Sequence, residues 1–239
     1  MEIQIAVAKV NKYACSESGD TLEIVERPGG GVSVVLADGQ SSGHDAKTVS
    51  MMVVRRVIGL LAEGVRDGAA ARAASDYLYT ERSGKASCSL NIISVDLASE
   101  TIVLTRNNES PMFVANADQV ECINESCQSI GTSRNMKPLI TEIPIENELT
   151  VVVFTDGITR AGEKRGNPID IGITLRGLLE DSEPSPQILA DALLAQAMRL
   201  DDNRPVDDAS VVVLRVMQTN GDGVRRMSLR LPIHVKNGD

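Results

Sequence analysis

The chain has no tryptophan, two phenylalanines and three tyrosines among 239 residues, so its interior must be filled by aliphatic side chains. So small an aromatic supply also argues against a base-stacking platform for single-stranded nucleic acid. Basic residues are in the minority, 24 Lys and Arg against 33 Asp and Glu, giving a net charge of −9. That balance disfavours broad binding to nucleic acid or to an anionic membrane, because both need basic patches. The four cysteines (Cys15, Cys88, Cys122 and Cys127) form no CxxC pair. With only the two histidines, His44 and His234, they argue against a structural zinc site and read as reduced thiols. No apolar run approaches a membrane span, and the amino terminus lacks the basic-then-apolar pattern of an export signal. The expectation is a cytoplasmic protein with no membrane attachment.

What is present suffices for a real core, since 42% of the residues are hydrophobic. Ile3–Lys9 alternates as a strand, and Leu22–Val25 with Val32–Ala37 reads as a hairpin around the turn Pro28-Gly29-Gly30-Gly31. From Asp45 to Val65 the period changes: Val49, Val53, Val57, Leu60 and Leu61 recur at helical spacing, and Ala69–Glu81 continues with helix formers. After Ser83-Gly84 come strand candidates at Ser89–Val95, Thr101–Thr105, Met112–Ala115 and Leu149–Thr155. Ser185-Pro186 announces a helix reaching about Arg199, by a capping serine and a proline at the first helical position. A polar loop, Asp201–Val206, then leads to the strand Ala209–Val216. The order is α+β rather than a regular βαβ repeat. Residues 1–217 are expected to form one domain, and 218–239 an extension whose alternating stretch Val224–Val235 reads as an added edge strand.

Three aspartates lie at the ends of these apolar runs: Asp38 before Gly39, Asp156 before Gly157, and Asp207 with Asp208 before Ala209. A strand end is a rigid mount, and converging carboxylates raise one another's pKa unless cations neutralise them. Carboxylates with a backbone carbonyl and water make a hard oxygen site suited to Mg²⁺ or Mn²⁺. The plainer reading of Asp-Gly is a turn. Neither pair is followed directly by a partner strand, however, as a tight hairpin would require.

The runs VVLADGQSSGHDA (Val34–Ala46), VVVFTDGITRA (Val151–Ala161) and DDASVVVLR (Asp207–Arg215) resemble three signature segments of the PPM protein phosphatases. They stand in that family's order and are most similar to its SpoIIE-like bacterial branch. Ser18-Gly19-Asp20 resembles an upstream segment. The resemblance implies two antiparallel β-sheets packed as a sandwich and flanked by helices, with two metal ions, Mn²⁺ or Mg²⁺, in a cleft at one end. By the same resemblance Asp38 would bridge both ions and the Gly39 carbonyl would ligate one. Asp156 and Asp207 would bind the other, and Asp20 would act from the outer shell. Asp207 rather than Asp208 takes the first place of the family's pair. The implied reaction is hydrolysis of phosphoserine or phosphothreonine by metal-activated water, which is deprotonated more readily between two cations. The implied substrate is a phosphorylated regulatory protein, of STAS-domain type in partner-switching and stress signalling served by stand-alone, RsbX-like members.

The sequence departs from the pattern in the first segment. Its loop before Gly43-His44 is one residue longer, and Gln40 stands where the eukaryotic branch has a histidine. His44 is read as a capping or structural residue at the start of the helix. Glu163–Asp170 reads as a surface connection that would lie near the cleft, and Asn107–Pro111 is given no role. Two other readings stay open. The altered loop fits a catalytically weak or inactive binding module on the same fold. Gly39-Gln40-Ser41-Ser42-Gly43 matches the G-x-S-x-G elbow of an α/β-hydrolase, with Ser41 as nucleophile and His234 in a triad.

Overall fold

Runs such as Val32–Ala37, Thr150–Phe154 and Ala209–Val216 are apolar at nearly every position, which is the pattern of strands covered on both faces. The computed structural model, describing residues 1–117, 119–180, 183–219 and 222–232, shows why. The chain order is β1 (Glu2–Val10), β2 (Asp20–Glu26), β3 (Val32–Gly39), α1 (Gly43–Ala62), α2 (Asp67–Arg82), β4 (Cys88–Asp96) and β5 (Thr101–Asn107). There follow β6 (Met112–Ala115), β7 (Val120–Ile123), β8 (Leu139–Pro144), β9 (Thr150–Phe154) and the one-turn helix α3 (Asp156–Thr159). A 3-10 turn (Glu163–Arg165), α4 (Ile171–Glu180), α5 (Pro186–Leu200) and β10 (Ala209–Met217) complete it.

The strands form two five-stranded sheets, ordered β1-β10-β9-β6-β7 and β2-β3-β4-β5-β8. Every paired neighbour is antiparallel. The sheets pack face to face through Val34, Leu36, Ile93 and Leu104 on one side and Val151, Val153, Val212 and Leu214 on the other. The alternate side chains of the same strands face helices. Val35, Ala37, Leu90 and Ile92 meet Val49, Val53, Val57 and Leu61 of α1 and Ala70 and Leu78 of α2. On the opposite side Val152, Phe154, Val211 and Val213 meet Leu175 of α4 and Leu189 and Leu193 of α5. The result is the helix–sheet–sheet–helix sandwich that the resemblance implies. The two phenylalanines, Phe113 and Phe154, sit together with ring centroids 6.1 Å apart.

Local signals set the helix ends. Helix α1 stops short of Val65 because Gly64 turns left-handed at φ 84° and the Val65 N–H returns to the Leu60 carbonyl. Helix α2 ends at Ser83 and Gly84, both left-handed. The Ser185 hydroxyl caps α5 by accepting from the Ile188 N–H. Strands β7 and β8 and helices α3 and α4 are absent from the sequence reading. In α4, Gly172 and Gly177 lower helix propensity, and tertiary packing of Ile171 and Leu175 overrides them. The edge strand expected over Val224–Val235 does not form in its described part, residues 224–232. Its alternation buries nothing: Leu229 is 91% exposed and Leu231 75%. Arg225 instead bonds Glu26 and the Gly30 carbonyl beside the β2–β3 turn.

Candidate metal centre

Hairpin register brings the first two carboxylates together. Asp20 opens β2 directly opposite Asp38 near the end of β3, so two acidic residues face one sheet end. Asp20 is fully buried, and its Oδ2 accepts from Thr155 Oγ1 at 3.0 Å and Ser210 Oγ at 2.5 Å. Those partners belong to the other sheet, so Asp20 ties the two sheets at the cleft. Its Oδ1 is buried with no donor of its own. Asp38 lies within hydrogen-bonding reach of Asp20 and of Asp156, which leaves a shared proton or a cation to reconcile them. Burial, then the charges of Asp20, Asp156 and Asp207, push the Asp38 carboxyl up to about 9. Burial also raises Asp20 and Asp156, the latter opposed by Arg160, whose Nη1 is 2.8 Å from Asp156 Oδ2.

Strands β9 and β10 deliver the other pair. Asp156 begins α3 just past β9, and the Thr155 N–H bonds the Ser210 carbonyl, so Asp156 and Asp207 emerge side by side. The two adjacent aspartates before β10 divide their work. Asp207 faces the cleft, with its side chain 32% exposed. Asp208 is buried and accepts from the Lys12 and Gly19 N–H groups, each at 2.8 Å, pinning the β1–β2 connection to β10.

Close approach, rather than turn geometry, explains both Asp-Gly pairs. A Cβ at Gly39 would sit 2.1 Å from the Ala46 carbonyl oxygen in α1. One at Gly157 would sit 2.1 Å from the Asp208 carbonyl oxygen. Only glycine lets these backbones meet, and the meeting sets the neighbouring aspartates at the cleft.

Asp38, Gly39, Asp156 and Asp207 line one cleft of about 450 Å³. The donor set fits a hard divalent cation: oxygen ligands only, several carboxylates with raised pKa, and a buried oxygen lacking a donor. Among the described residues no trio of acidic, His or Cys side chains is already drawn into ligating arrangement around a point. The carboxylates share a cleft instead.

Several lining residues went unread in the sequence. Asn108, Glu109, Ser110 and Pro111 form part of the wall, although Asn107–Pro111 was given no role. Behind them Arg106 is fully buried and donates to the Asn108, Ser110 and Glu125 carbonyl oxygens. An arginine within a β-like run was the available signal. Glu163 also reaches the cleft, from the segment expected as a surface connection. Gln40 is held by the Ser87 N–H and hydroxyl through its Oε1. His44 is neither a cap nor a wall residue: it is 83% exposed beside Glu17, and Ser42 takes the N-cap position.

The esterase reading fails on the fold. Ser41 is left-handed at φ 94°, as a strained elbow would be, yet it lies in the exposed loop after a strand of an antiparallel sheet rather than in a parallel α/β array. His44 points into solvent, and His234 lies outside the described residues.

The comparisons with known proteins agree with this geometry. Two curated relatives are both Stage II sporulation protein E. That of Priestia megaterium is 21% identical over 214 residues, covering 90% of this chain and 36% of the relative. That of Bacillus subtilis (strain 168) is 22% identical over 201 residues, covering 83% and 24%. The chain thus spans about a third or less of these relatives. The PP2C phosphatase domain with a regulatory fragment of the cell-fate determinant SpoIIE from Bacillus subtilis superposes with a TM-score of 0.77 at 18% identity, covering 92% of this chain and 64% of that one. RsbX in complex with magnesium gives a TM-score of 0.68 at 14% identity, covering 89% and 94%. The catalytic domain of the serine/threonine phosphatase PstP with two manganese ions gives 0.68 at 16%, covering 90% and 99%. At these identities the structural likeness is one of fold. The profile of the family described as Stage II sporulation protein E (SpoIIE) matches residues 28–217, most of the chain. The chain therefore belongs to the SpoIIE family, on the fold of the PP2C-type phosphatase domains.

Proposed function

We propose that this domain is a metal-dependent serine/threonine protein phosphatase that hydrolyses phosphoserine or phosphothreonine on a regulatory partner protein. One observation carries the reading: Asp38, Asp156 and Asp207, far apart in sequence, line a single cleft with Gly39. Asp38, Asp156, Asp207 and the Gly39 carbonyl would hold two Mn²⁺ or Mg²⁺ ions, the ions seen in the RsbX and PstP complexes. When bound, such ions supply Lewis acidity, making water acidic near neutral pH and offsetting charge on phosphoryl oxygens.

The chain's own residues do the rest. Asp38, whose carboxyl is raised by burial and by the charges of Asp20, Asp156 and Asp207, would be held in its ionised form by a bound cation. Thr155 and Ser210 hold Asp20 rigid behind it, so the oxygen donors keep their positions through a turnover. Arg106 fixes the Asn108–Ser110 wall, which limits how a phosphorylated side chain can enter. A phosphorylated regulator of STAS type is the proposed partner, an expectation carried by the family alone.

The binding-module reading is favoured by Gln40, whose side chain is tied to Ser87 and has no acidic proton to transfer to a leaving group. Both readings meet in one experiment. Metal-stripped protein is titrated with Mn²⁺ or Mg²⁺ against p-nitrophenyl phosphate and a phosphoserine peptide, beside Asp38→Asn and Asp156→Asn. Hydrolysis that needs metal and falls at least about a hundredfold in both variants is the expected result. Metal uptake with no hydrolysis of any phosphoester would leave the binding module in its place.

A further inference from the structure

We infer that Arg160 receives the phosphoryl oxygens of the substrate, and that it rests on Asp156 until a divalent cation displaces it. This assignment builds on the phosphatase reading above. Among the described residues lining the cleft, Arg160 is the sole cation, set against Asp38, Glu109, Asp156, Glu163 and Asp207. The nearby lysines are engaged elsewhere. Lys9 and Lys47 donate to the Asp20 carbonyl oxygen at 2.6 and 2.8 Å, and Lys12 reaches Asp207 only at 4.0 Å.

A phosphomonoester carries close to two negative charges and three acceptor oxygens, so an acidic wall repels it. A guanidinium at the wall offsets that repulsion and offers a planar fork matched to two phosphoryl oxygens. The base of Arg160 is fixed while its tip is exposed. Its N–H bonds the Asp156 carbonyl at 2.9 Å, and α3 is wedged on β10 through Gly157. The side chain is 57% exposed, so its 2.8 Å pair with Asp156 is screened and weakly held. One Asp156 oxygen cannot serve both a guanidinium and a cation at full strength. A cation held at Asp156 would compete with the guanidinium for that carboxylate's charge and leave Arg160, already at the cleft wall, available to a phosphoester, an order of cation first and phosphoester second.

Removing the guanidinium then has opposite effects on the two ligands, a signature that a purely structural role for Arg160 does not produce. The test uses the full chain, metal-stripped, as wild type, Arg160→Gln and Arg160→Lys, each checked for a cooperative thermal melt. Calorimetry reads Mn²⁺ binding alone, then inorganic phosphate binding to the Mn²⁺-loaded protein, and KM and kcat are measured on a phosphoserine peptide. Arg160→Gln should bind Mn²⁺ about two- to fivefold more tightly, the scale of an exposed ion pair. It should bind phosphate roughly tenfold more weakly and raise KM by a similar factor. Arg160→Lys, which keeps the charge without the fork, should fall between. Unchanged phosphate affinity, or weakened Mn²⁺ binding, in folded Arg160→Gln overturns the assignment. Wild-type protein that binds Mn²⁺ and phosphate with these variant effects but hydrolyses nothing would sink only the activity. Absence of Mn²⁺ binding in the wild type would overturn both.

Discussion

Asp38 shows how one side chain couples the site to stability. Its carboxyl, raised from 3.8 to about 9, keeps its proton in the folded, cation-free protein and loses it in the unfolded chain. Across that window the folded state binds more protons, so stability falls as pH rises. Metal-stripped protein should therefore lose Tm from roughly pH 5 to 8, and Asp38→Asn should flatten most of the slope, at about 2–4 °C per kcal/mol for a chain of this size. A flat wild-type profile would contradict the raised Asp38 carboxyl. The neighbours Asp207 and Asp208 should separate just as cleanly. Asp208→Ala strands two N–H donors, one buried and one part-buried, and should cost about 2–4 kcal/mol in urea denaturation. Asp207→Asn should stay within about 0.5 kcal/mol of wild type while weakening Mn²⁺ binding. The reverse pattern would move the proposed ligand by one residue.

At the scale of elements, the cleft depends on how short connections seat against strands. Helix α3 is a single turn, too short to be stable alone, and its seat on β10 is the Gly157–Asp208 backbone contact. Gly157→Ala would put a methyl 2.1 Å from a carbonyl oxygen, so α3 must shift. A loss of roughly 1–3 kcal/mol is expected, together with weaker Mn²⁺ binding because Asp156 moves with the helix. Retained cation affinity at lowered stability would show that Asp156 is positioned by β9 alone. The long elements were readable because period and caps agree: Val49, Val53 and Val57 on α1, Ser185-Pro186 on α5. The short ones were not. Strand β7 exposes Glu121 and Cys122, and α4 carries two glycines, so neither shows a local pattern strong enough to stand without its neighbours.

For the whole molecule, the two sheets share one buried interface and are further tied at the cleft through Asp20, Thr155 and Ser210. The segment after Met217 stands outside that arrangement where it is described, with Arg225 bonded to Glu26 and Gly30 at the surface. Ending the chain at Met217 should change stability by less than about 1 kcal/mol and leave Mn²⁺ binding unaltered. A larger fall in a denaturation curve would make that segment part of the domain.

The sequence by itself determined the doubly covered strands, the long helices and the candidate carboxylates. Apolar runs, helical period and Asp-Gly at strand ends are local features, visible without knowing what they touch. Tertiary structure decided what each carboxylate does. Asp207 and Asp208 are adjacent and chemically identical, and only β10's approach to Lys12 and Gly19 makes one a clamp and leaves the other facing the cleft. Arg106 and the Asn108–Pro111 wall entered the site through strand pairing across long stretches of chain, and Arg160 through the seating of α3 on Asp208. Hydrogen-bond register and close backbone contact fix those relations, and neither is written in any single segment.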